Sequence, residues 1–357
     1  MLFQNAGRYD RQLPLESVGK EGQEKISRSK ILVVGCGGLG SPVIQYLASA
    51  GVGTIGVSDF DKVSINNLNR QTLFSERDVG KSKIDSAERR IREINSMVKV
   101  QKHPKLDYSN ALEVIKKYDV VVDCTDNFPS KYLINDACYL SGKTWIHGTA
   151  LKMDGRVAVF DGKPCYRCIL PSAAQDCETC DTSGVLGPVC GIIGSVQAVE
   201  AIKTILGKGS LKGKLLVFDG NAMNFEVLSI KENPNCQLCG TGKISGINDV
   251  YEENNEMEIE LAEAKGMLER GAFFLDVREK WERDRAMIEG SVLIPMRELE
   301  ARINDIPSGK EVVVYCHHGS RSYRATMYLR EKGKRARSLA GGIEEWSRKI
   351  NPKVPRY

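Results

Sequence analysis

A glycine-rich turn lies between an aliphatic run and a helix-patterned segment near the start of the 357-residue chain. The run Lys30 to Gly35 (KILVVG) predicts a buried parallel strand, the residues up to about Ala50 predict a helix, and Thr54 to Asp59 predicts a second strand. Between the first strand and the helix lies Gly35-x-Gly37-Gly38-x-Gly40. Such glycines permit a tight turn and a close approach of the backbone to phosphate, and the helix N-terminus supplies N–H donors. The pattern predicts an α/β, Rossmann-like fold with a nucleotide site at the carboxyl edge of a parallel sheet.

Further polar residues are expected at the same edge of the sheet. Asp59 ends the second strand, where an acidic side chain would accept hydrogen bonds from ribose hydroxyls. Arg11 precedes the first strand, and Asn67, Arg70 and Lys83 follow the second. Asp126 and Asn127 end the strand of DVVVDCTDN. Three cations and an acid suit a triphosphate with Mg²⁺, and a hydride-transfer site does not need them. The candidates are Arg11, Asp59, Asn67, Arg70, Lys83, Asp126 and Asn127.

The charge balance and the uncharged segments exclude several classes of protein. With 51 basic and 46 acidic side chains the net charge is +5, which does not predict a nucleic-acid partner. The longest uncharged run, Ile31 to Ser58, is interrupted by seven glycines and Pro42, so strand–turn–helix explains it better than a membrane span. Residues 1–10 lack the basic-then-apolar pattern of a signal peptide. We therefore predict a cytoplasmic protein with no membrane partner.

Five motifs in order carry a resemblance to a known family. RYDRQ, VGCGGLG, DFDxVxxxNLNRQ, GKSK and DCTDN together resemble the adenylating domain of the MoeB/ThiF family, relatives of ubiquitin-activating enzymes. The resemblance covers about residues 5–240. It implies ATP and Mg²⁺ rather than NAD. It also implies that the C-terminal glycine carboxylate of a ubiquitin-like sulfur carrier, ending in Gly-Gly, attacks the α-phosphate to give an acyl adenylate and pyrophosphate.

The same resemblance implies a role for each polar candidate. Asp59 would hold the ribose, and Asp126 would bind Mg²⁺. Arg11 matches an arginine that in this family reaches the nucleotide of the neighbouring subunit, so a homodimer is implied. Arg70 is also predicted to be catalytic. The other implied nucleotide-binding residues are Gly38, Gly40, Asn67, Arg70, Lys83 and Asn127.

Two CxxC pairs about 70 residues apart predict a structural zinc site. They are Cys165 with Cys168 and Cys236 with Cys239. Four thiolates suit tetrahedral Zn²⁺ and leave no open position for a substrate. Unrelated buried cysteines and a dithiol redox pair are the alternatives. The sequence around both pairs resembles the zinc motif of the MoeB/ThiF family.

The remaining cysteines of this part of the chain divide into one candidate nucleophile and several core residues. Cys180 lies in the polar stretch 175–183, where exposure and helix-terminal amides would favour a thiolate. The stretch resembles the family's crossover loop, whose cysteine forms covalent sulfur or thioester intermediates in some members. Cys177 is a rival, and an incidental thiol is the third reading. The cysteines in apolar segments, predicted to lie in the core, are Cys36, Cys124, Cys138 and Cys190.

A second, smaller α/β pattern follows a Gly-, Asn- and Glu-rich stretch. We predict domains at 1–240 and 257–357 with a linker at 241–256. In the second domain, Cys316 follows the strand 311–315 and precedes a helix, in Cys-His-His-Gly-Ser-Arg-Ser. Such a loop is predicted to point successive N–H groups at the sulfur, and Arg321 and the helix dipole would add positive potential that stabilises a persulfide.

The second domain resembles a single-domain rhodanese over about residues 256–350. The resemblance rests on LDVRE at 275–279, on the Cys316 loop and on GGIxxW at 341–346. It implies a persulfide on Cys316, loaded by a donor such as a cysteine desulfurase or thiosulfate. The two halves together predict an adenylyltransferase and sulfurtransferase that makes a thiocarboxylate on its carrier. Chains resembling this fusion serve molybdenum-cofactor, thiamin, cysteine or tRNA-thiolation pathways.

Two other functions stay open from the sequence. One is an activator for ubiquitin-like conjugation, with a thioester on Cys180 as its product; the rhodanese half disfavours it. The other is a non-catalytic scaffold, which the intact set of polar candidates and Cys316 argues against.

Overall fold

The computed structural model describes residues 7–171, 184–247 and 257–357. The chain divides into two compact units, Met1–Ile247 and Asn248–Tyr357. The first unit reaches seven residues beyond position 240, since Ile244 and Ile247 are buried and the Ile244 N–H donates to the carbonyl of Gln237. Each unit is built around its own sheet.

The first unit contains an eight-stranded sheet in the order β3-β2-β1-β4-β5-β6-β7-β8. Strands β1 to β5 pair with one another in parallel, and β6, β7 and β8 extend the sheet from β5 by antiparallel pairing. The strands are β1 (Lys30–Val34), β2 (Thr54–Ser58), β3 (Lys99–His103), β4 (Val120–Asp123), β5 (Thr144–Leu151), β6 (Asp154–Phe160), β7 (Lys214–Asp219) and β8 (Asn224–Ser229).

Helices pack against this sheet and complete the first core. They are α1 (Gly19–Arg28), α2 (Gly40–Ala50), α3 (Lys83–Ile94), α4 (Ala111–Lys116), α5 (Phe128–Ser141), α6 (Tyr166–Ile169) and α7 (Gly187–Ile205). Of the described helices, α7 is long and apolar enough to cross a membrane by length and composition. It packs against α2, β5 and β6 and contributes Val189 and Ile193 to the apolar core, so it is a core helix of this unit.

The register of the parallel strands brings the predicted nucleotide ligands to one edge. Val34 at the end of β1 pairs with Ser58 on one side and with Asp123 on the other. The residues that follow these three strands therefore emerge side by side. Gly35 has φ +95°, and a Cβ there would lie 2.7 Å from the carbonyl oxygen of Cys124, so only glycine allows β1 to turn here.

The second unit contains a five-stranded parallel sheet in the order β11-β10-β12-β13-β9. Alternating residues of its strands face two separate apolar clusters, because successive side chains of a strand point to opposite faces. The elements are β9 (Glu258–Ile259), α8 (Leu261–Glu269), β10 (Phe273–Asp276), α9 (Lys280–Arg285), β11 (Val292–Leu293), β12 (Glu311–Tyr315), α10 (Ser320–Glu331), β13 (Arg335–Leu339) and α11 (Gly342–Lys349).

Candidate active sites

The glycine-rich turn holds the carboxylate of Asp59. The Cys36 N–H donates to Asp59 Oδ2 at 2.8 Å, and the Asp61 N–H donates to Oδ1 at 2.9 Å. Burial raises the pKa of Asp59, an effect that Lys83 opposes and Asp61 reinforces. The two backbone bonds fix the orientation of the carboxylate and leave lone pairs available to ribose hydroxyls.

The ammonium group of Lys83 lies beside two carboxylates. Its Nζ is 2.8 Å from Asp61 Oδ2, and the residue is only 6% exposed. Burial opposes the charge, but the neighbouring Asp59 and Asp61 raise the pKa of Lys83 overall. Lys83 is therefore charged at neutral pH, and a bound triphosphate would compete with Asp61 for it. Sequence reasoning missed Asp61, although the pattern Asp59-x-Asp61 is visible in the motif.

Arg70 is held over the glycine-rich turn. Its Nη1 donates to the Asn66 carbonyl at 3.0 Å and to Asn69 Oδ1 at 3.1 Å. A Cβ on Gly38 would come 3.6 Å from Arg70 Cγ and 2.9 Å from Cys190 Sγ, so this glycine keeps space open between the turn and Arg70. Asn67 ends the short 3₁₀ helix Ile65–Asn67, where its Oδ1 accepts the Ser64 N–H at 3.2 Å.

One pocket collects most of the predicted nucleotide ligands at the carboxyl ends of β1, β2 and β4. The predicted residues that line it are Gly38, Asp59, Arg70, Lys83, Asp126 and Asn127. Gly40 starts α2, where a Cβ would lie 2.1 Å from the Gly35 carbonyl. Within the described part of one chain, Asn67 and the exposed Arg11 do not line this pocket. Sequence reasoning also missed Phe60 and Lys105, which line it and form a cation–π contact of 4.7 Å.

The four cysteines of the CxxC pairs form one compact cluster. Cys165 Sγ lies 3.5 Å from Cys236 Sγ, Cys168 Sγ lies 3.3 Å from Cys239 Sγ, and all four sulfurs lie within 4.8 Å of one another. Tetrahedral zinc with Zn–S bonds of about 2.3 Å separates its sulfurs by about 3.8 Å. The donor set and its spacing therefore fit Zn²⁺.

The first CxxC pair is attached to helix α5 by buried polar contacts. Arg167, between the two cysteines, donates from Nε to Asp136 Oδ1 at 2.8 Å and from Nη2 to Oδ2 at 2.6 Å. The Tyr166 N–H donates to Asn135 Oδ1 at 2.9 Å. Asp136 is fully buried, so this bidentate pair is shielded from water. The cysteine cluster and α5 are thus one connected piece of structure.

Cys316 lies at the carboxyl end of β12, with 1% of the residue exposed. The Gly319 N–H donates to Cys316 Sγ at 3.2 Å, and the Ser322 hydroxyl lies 3.5 Å from the same sulfur. The sequence predicts successive loop amides on the sulfur. Among the described residues, the structure instead places one amide and one hydroxyl against the sulfur. Gly319 has φ +103°, which lets the loop turn back over the sulfur.

The charge of Arg321 is compensated by an acidic partner. Its Nη1 and Nη2 donate to the two carboxylate oxygens of Glu282 at 2.6 and 2.7 Å. The guanidinium therefore adds less positive potential at Cys316 than the sequence predicts. Tyr357 hydrogen-bonds to Glu282 at 3.2 Å and stacks on His317 at 4.4 Å between ring centres. Burial lowers the pKa of His317 to about 4, so this imidazole is neutral at pH 7.

The predicted core cysteines are buried as expected, and Cys124 and Cys190 also line the nucleotide pocket. Cys177 and Cys180 lie in 172–183, outside the described residues, so their candidate roles remain predictions.

Two families match the chain. The ThiF family matches residues 9–238, more than half of the sequence. The chain belongs to the ThiF family. A Rhodanese-like domain matches residues 260–349. Both resemblances drawn from the motifs are confirmed, and with them the pairing of a Rossmann-type adenylating domain and a small rhodanese domain.

Relatives of this ThiF-family chain carry two activities in their names. Adenylyltransferase and sulfurtransferase MOCS3-1 of Zea mays is 40% identical over 388 residues, covering 98% of this chain and 83% of the maize protein. Sulfur carrier protein adenylyltransferase of Thermus thermophilus is 44% identical over 247 residues, covering 65% of this chain and 90% of that protein. This ThiF-family chain is an enzyme with adenylyltransferase and sulfurtransferase activities.

A solved relative supports the nucleotide assignment. The crystal structure of E. coli MccB with ATP superposes with a TM-score of 0.57 and 25% identity, covering 66% of this chain and 75% of that one. The first unit of this ThiF-family member thus has an ATP-binding adenylyltransferase fold, and its four-cysteine cluster is compatible with zinc.

Proposed function

We propose that the enzyme adenylates the C-terminal glycine of a ubiquitin-like sulfur carrier and then converts the acyl adenylate to a thiocarboxylate. The observation that carries this proposal is the pocket in which Asp59, Arg70, Lys83 and Asp126 meet beside the glycine-rich turn. The name of the T. thermophilus relative supports the carrier as substrate. Molybdenum-cofactor biosynthesis is the pathway we favour, because the maize relative bears the MOCS3 name.

In the proposed first step, a carrier carboxylate oxygen attacks the α-phosphorus of ATP, and the bond to the bridging oxygen of pyrophosphate breaks. Asp59 orients the ribose. Lys83 and Arg70 place positive charge beside the phosphates, where negative charge builds up on the leaving pyrophosphate. Mg²⁺ held by Asp126 would neutralise further phosphate charge. The resulting acyl adenylate is far more electrophilic than the free carboxylate.

In the proposed second step, the terminal sulfur of a Cys316 persulfide attacks the acyl carbon and AMP leaves. A second thiol then attacks the Cys316 sulfur, which releases the thiocarboxylate and leaves a disulfide to be reduced by cellular thiols. The Gly319 N–H and the Ser322 hydroxyl stabilise negative charge on the cysteine sulfur. The persulfide donor would be a cysteine desulfurase or thiosulfate.

An exposed apolar patch supports docking of a carrier protein. Strand β8 is the edge of its sheet, and large apolar side chains on it and just before it are solvent-exposed. Phe225 and Val227, two residues apart, share one face of the strand, whereas Leu228 faces the other side. Exposed apolar side chains grouped in this way mark interaction sites. The exposed apolar residues of this edge are Met223 (70% exposed), Phe225 (49%), Val227 (52%) and Leu228 (43%).

We also infer a homodimer and a cytoplasmic location. Arg11 does not line the nucleotide pocket within the described part of one chain, so the nucleotide role implied for it requires a second copy. A groove between α2 and α7, lined by Pro42, Ile192 and the exposed Tyr46, offers apolar surface for that copy. The proposed thiol chemistry requires reduced cysteines, which the cytoplasm maintains.

The proposal is tested by incubating the full chain with ATP, Mg²⁺, a persulfide donor and a ubiquitin-like carrier ending in Gly-Gly. We expect pyrophosphate release and a carrier mass in which one oxygen is exchanged for sulfur. A carrier lacking its last glycine is the control and should give neither signal. Absence of pyrophosphate release with the intact carrier would refute the first step, and a carrier thioester on the enzyme would favour conjugation instead.

We expect one zinc ion per chain, and we expect Cys239→Ser to lose it. Structural zinc contributes on the order of 10 kcal/mol of binding free energy in small peptides, so the thermal midpoint of the first unit should fall. Metal analysis and thermal melting measure the two effects. Cys138→Ser, which changes a buried cysteine outside the cluster, is the control and should keep its zinc. Purified protein without zinc would overturn the assignment.

A further inference from the structure

The turn that carries Asp126 depends on Thr125 for its conformation. Asp126 is exposed, and its Oδ1 accepts a 3.4 Å hydrogen bond from Asn127 Nδ2. The adjacent Thr125 is held firmly instead. Its N–H and its hydroxyl both donate to Asp123 Oδ1, at 2.8 and 2.6 Å. The backbone of Thr125 thus sets where the Asp126 carboxylate lies.

Lys131, one turn into α5, also hydrogen-bonds to the backbone of Thr125. Its Nζ donates to the Thr125 carbonyl at 2.7 Å, to Asp123 Oδ2 at 3.0 Å and to the Gly148 carbonyl at 2.9 Å. These three acceptors use all three donors of the ammonium group. One side chain thereby joins α5, the turn after β4 and strand β5.

Burying the ammonium group of Lys131 removes it from water, which costs solvation free energy. Lys131 is 4% exposed, and Asp123 is fully buried. The His147 Nδ1–H donates to the ionised Asp123 Oδ2 at 3.2 Å, but burial lowers the pKa of His147 to about 4, so the imidazole is neutral at pH 7. Lys131 therefore supplies the positive charge that compensates Asp123. A well-packed apolar pair would often serve stability as well as a buried ion pair, which argues for a role beyond stability.

We propose that Lys131 is a positioning residue that fixes the Thr125 turn so that Asp126 presents its carboxylate to the metal of the bound nucleotide. This inference rests on the proposed function, which assigns Mg²⁺ to Asp126. Partners that orient metal ligands typically change metal affinity or activity by about 10–100-fold when they are removed. Lys131 acts through Asp126 and contacts no reacting atom.

The test compares ATP affinity with Mg²⁺ and with EDTA, using calorimetry on the full chain without carrier. In the wild type, Mg²⁺ should tighten ATP binding. In Lys131→Met, this tightening should fall by about 10–100-fold while the affinity in EDTA stays near wild type. Lys131→Arg, which keeps the charge and can still reach the carbonyls, should restore most of it. In the Asp126→Ala background, Lys131→Met should cause no additional loss.

The matched control is Lys203→Met, which removes a lysine paired with Glu200 at 2.7 Å outside the nucleotide pocket. It should leave the Mg²⁺ effect unchanged. Should Lys131→Met fail to fold, Lys131→Gln decides the question by the same measurement. A folded variant that keeps the full Mg²⁺ effect overturns this proposal. A wild type without any Mg²⁺ effect would instead contradict the Asp126 assignment on which it rests.

Discussion

Cys316→Ala is expected to abolish thiocarboxylate formation while leaving ATP–pyrophosphate exchange at the wild-type rate. The sulfur of Cys316 is the atom to which the sulfane sulfur would be bound, and alanine cannot carry it. The residue belongs to a compact unit with its own sheet and cores, whereas the nucleotide pocket lies wholly in the other unit. One reaction mixture gives both readouts: released pyrophosphate and the mass of the carrier.

Cys138→Ala is the matched control for this experiment. It removes another buried thiol, in α5, which does not line the nucleotide pocket, and it should keep exchange and sulfur transfer. Full thiocarboxylate yield from Cys316→Ala would show that the rhodanese unit is not the sulfur donor. Cys180→Ala is expected to be milder, because direct attack by the Cys316 persulfide can bypass that residue.

Asp126→Ala is expected to lower pyrophosphate exchange by roughly 100–1,000-fold, the scale seen when a group that stabilises transition-state charge is removed. The side chain is exposed and lines the pocket, so its loss removes a metal ligand without opening a cavity in the core. The thermal midpoint should stay within experimental error of the wild type. Exchange is measured with carrier present and saturating ATP.

Glu289→Ala, which removes an exposed carboxylate from the second unit, controls for the loss of one negative charge. It should leave exchange unchanged. Near-wild-type exchange by Asp126→Ala would remove the metal assignment and would leave Lys83 and Arg70 as the main source of phosphate stabilisation.

The nucleotide-binding residues that follow strands are predictable from the sequence, but the side-chain contacts that position these residues are not. Asp59 and Asp126 could be placed at one sheet edge because the ends of neighbouring parallel strands fix where the following residues emerge. Lys131 could not be recognised, because a lysine on a helix is usually solvated. Its burial depends on Asp123 and on the Gly148 carbonyl, which only the folded sheet brings to it.

The same limit applies to the second unit. The position of Cys316 after β12 was predictable from the local strand–loop–helix pattern. The Glu282 carboxylate that pairs with Arg321 lies 39 residues earlier in the chain, and no local pattern connects the two. The contact of the Ser322 hydroxyl with the sulfur was also not predictable, because serine is common in the first turn of helices that have no catalytic function.

Helix α5 has consequences for how relatives of this enzyme can diverge. Eight consecutive residues, from Lys131 to Cys138, are buried, so this stretch has no solvent-facing side on which neutral substitutions can accumulate. Lys131 serves the nucleotide end, while Asn135 and Asp136 hold the first CxxC pair. Substitutions are therefore constrained at both ends of the helix. A relative that loses the first CxxC pair together with Arg167 would need another hydrogen-bond donor for the buried carboxylate of Asp136.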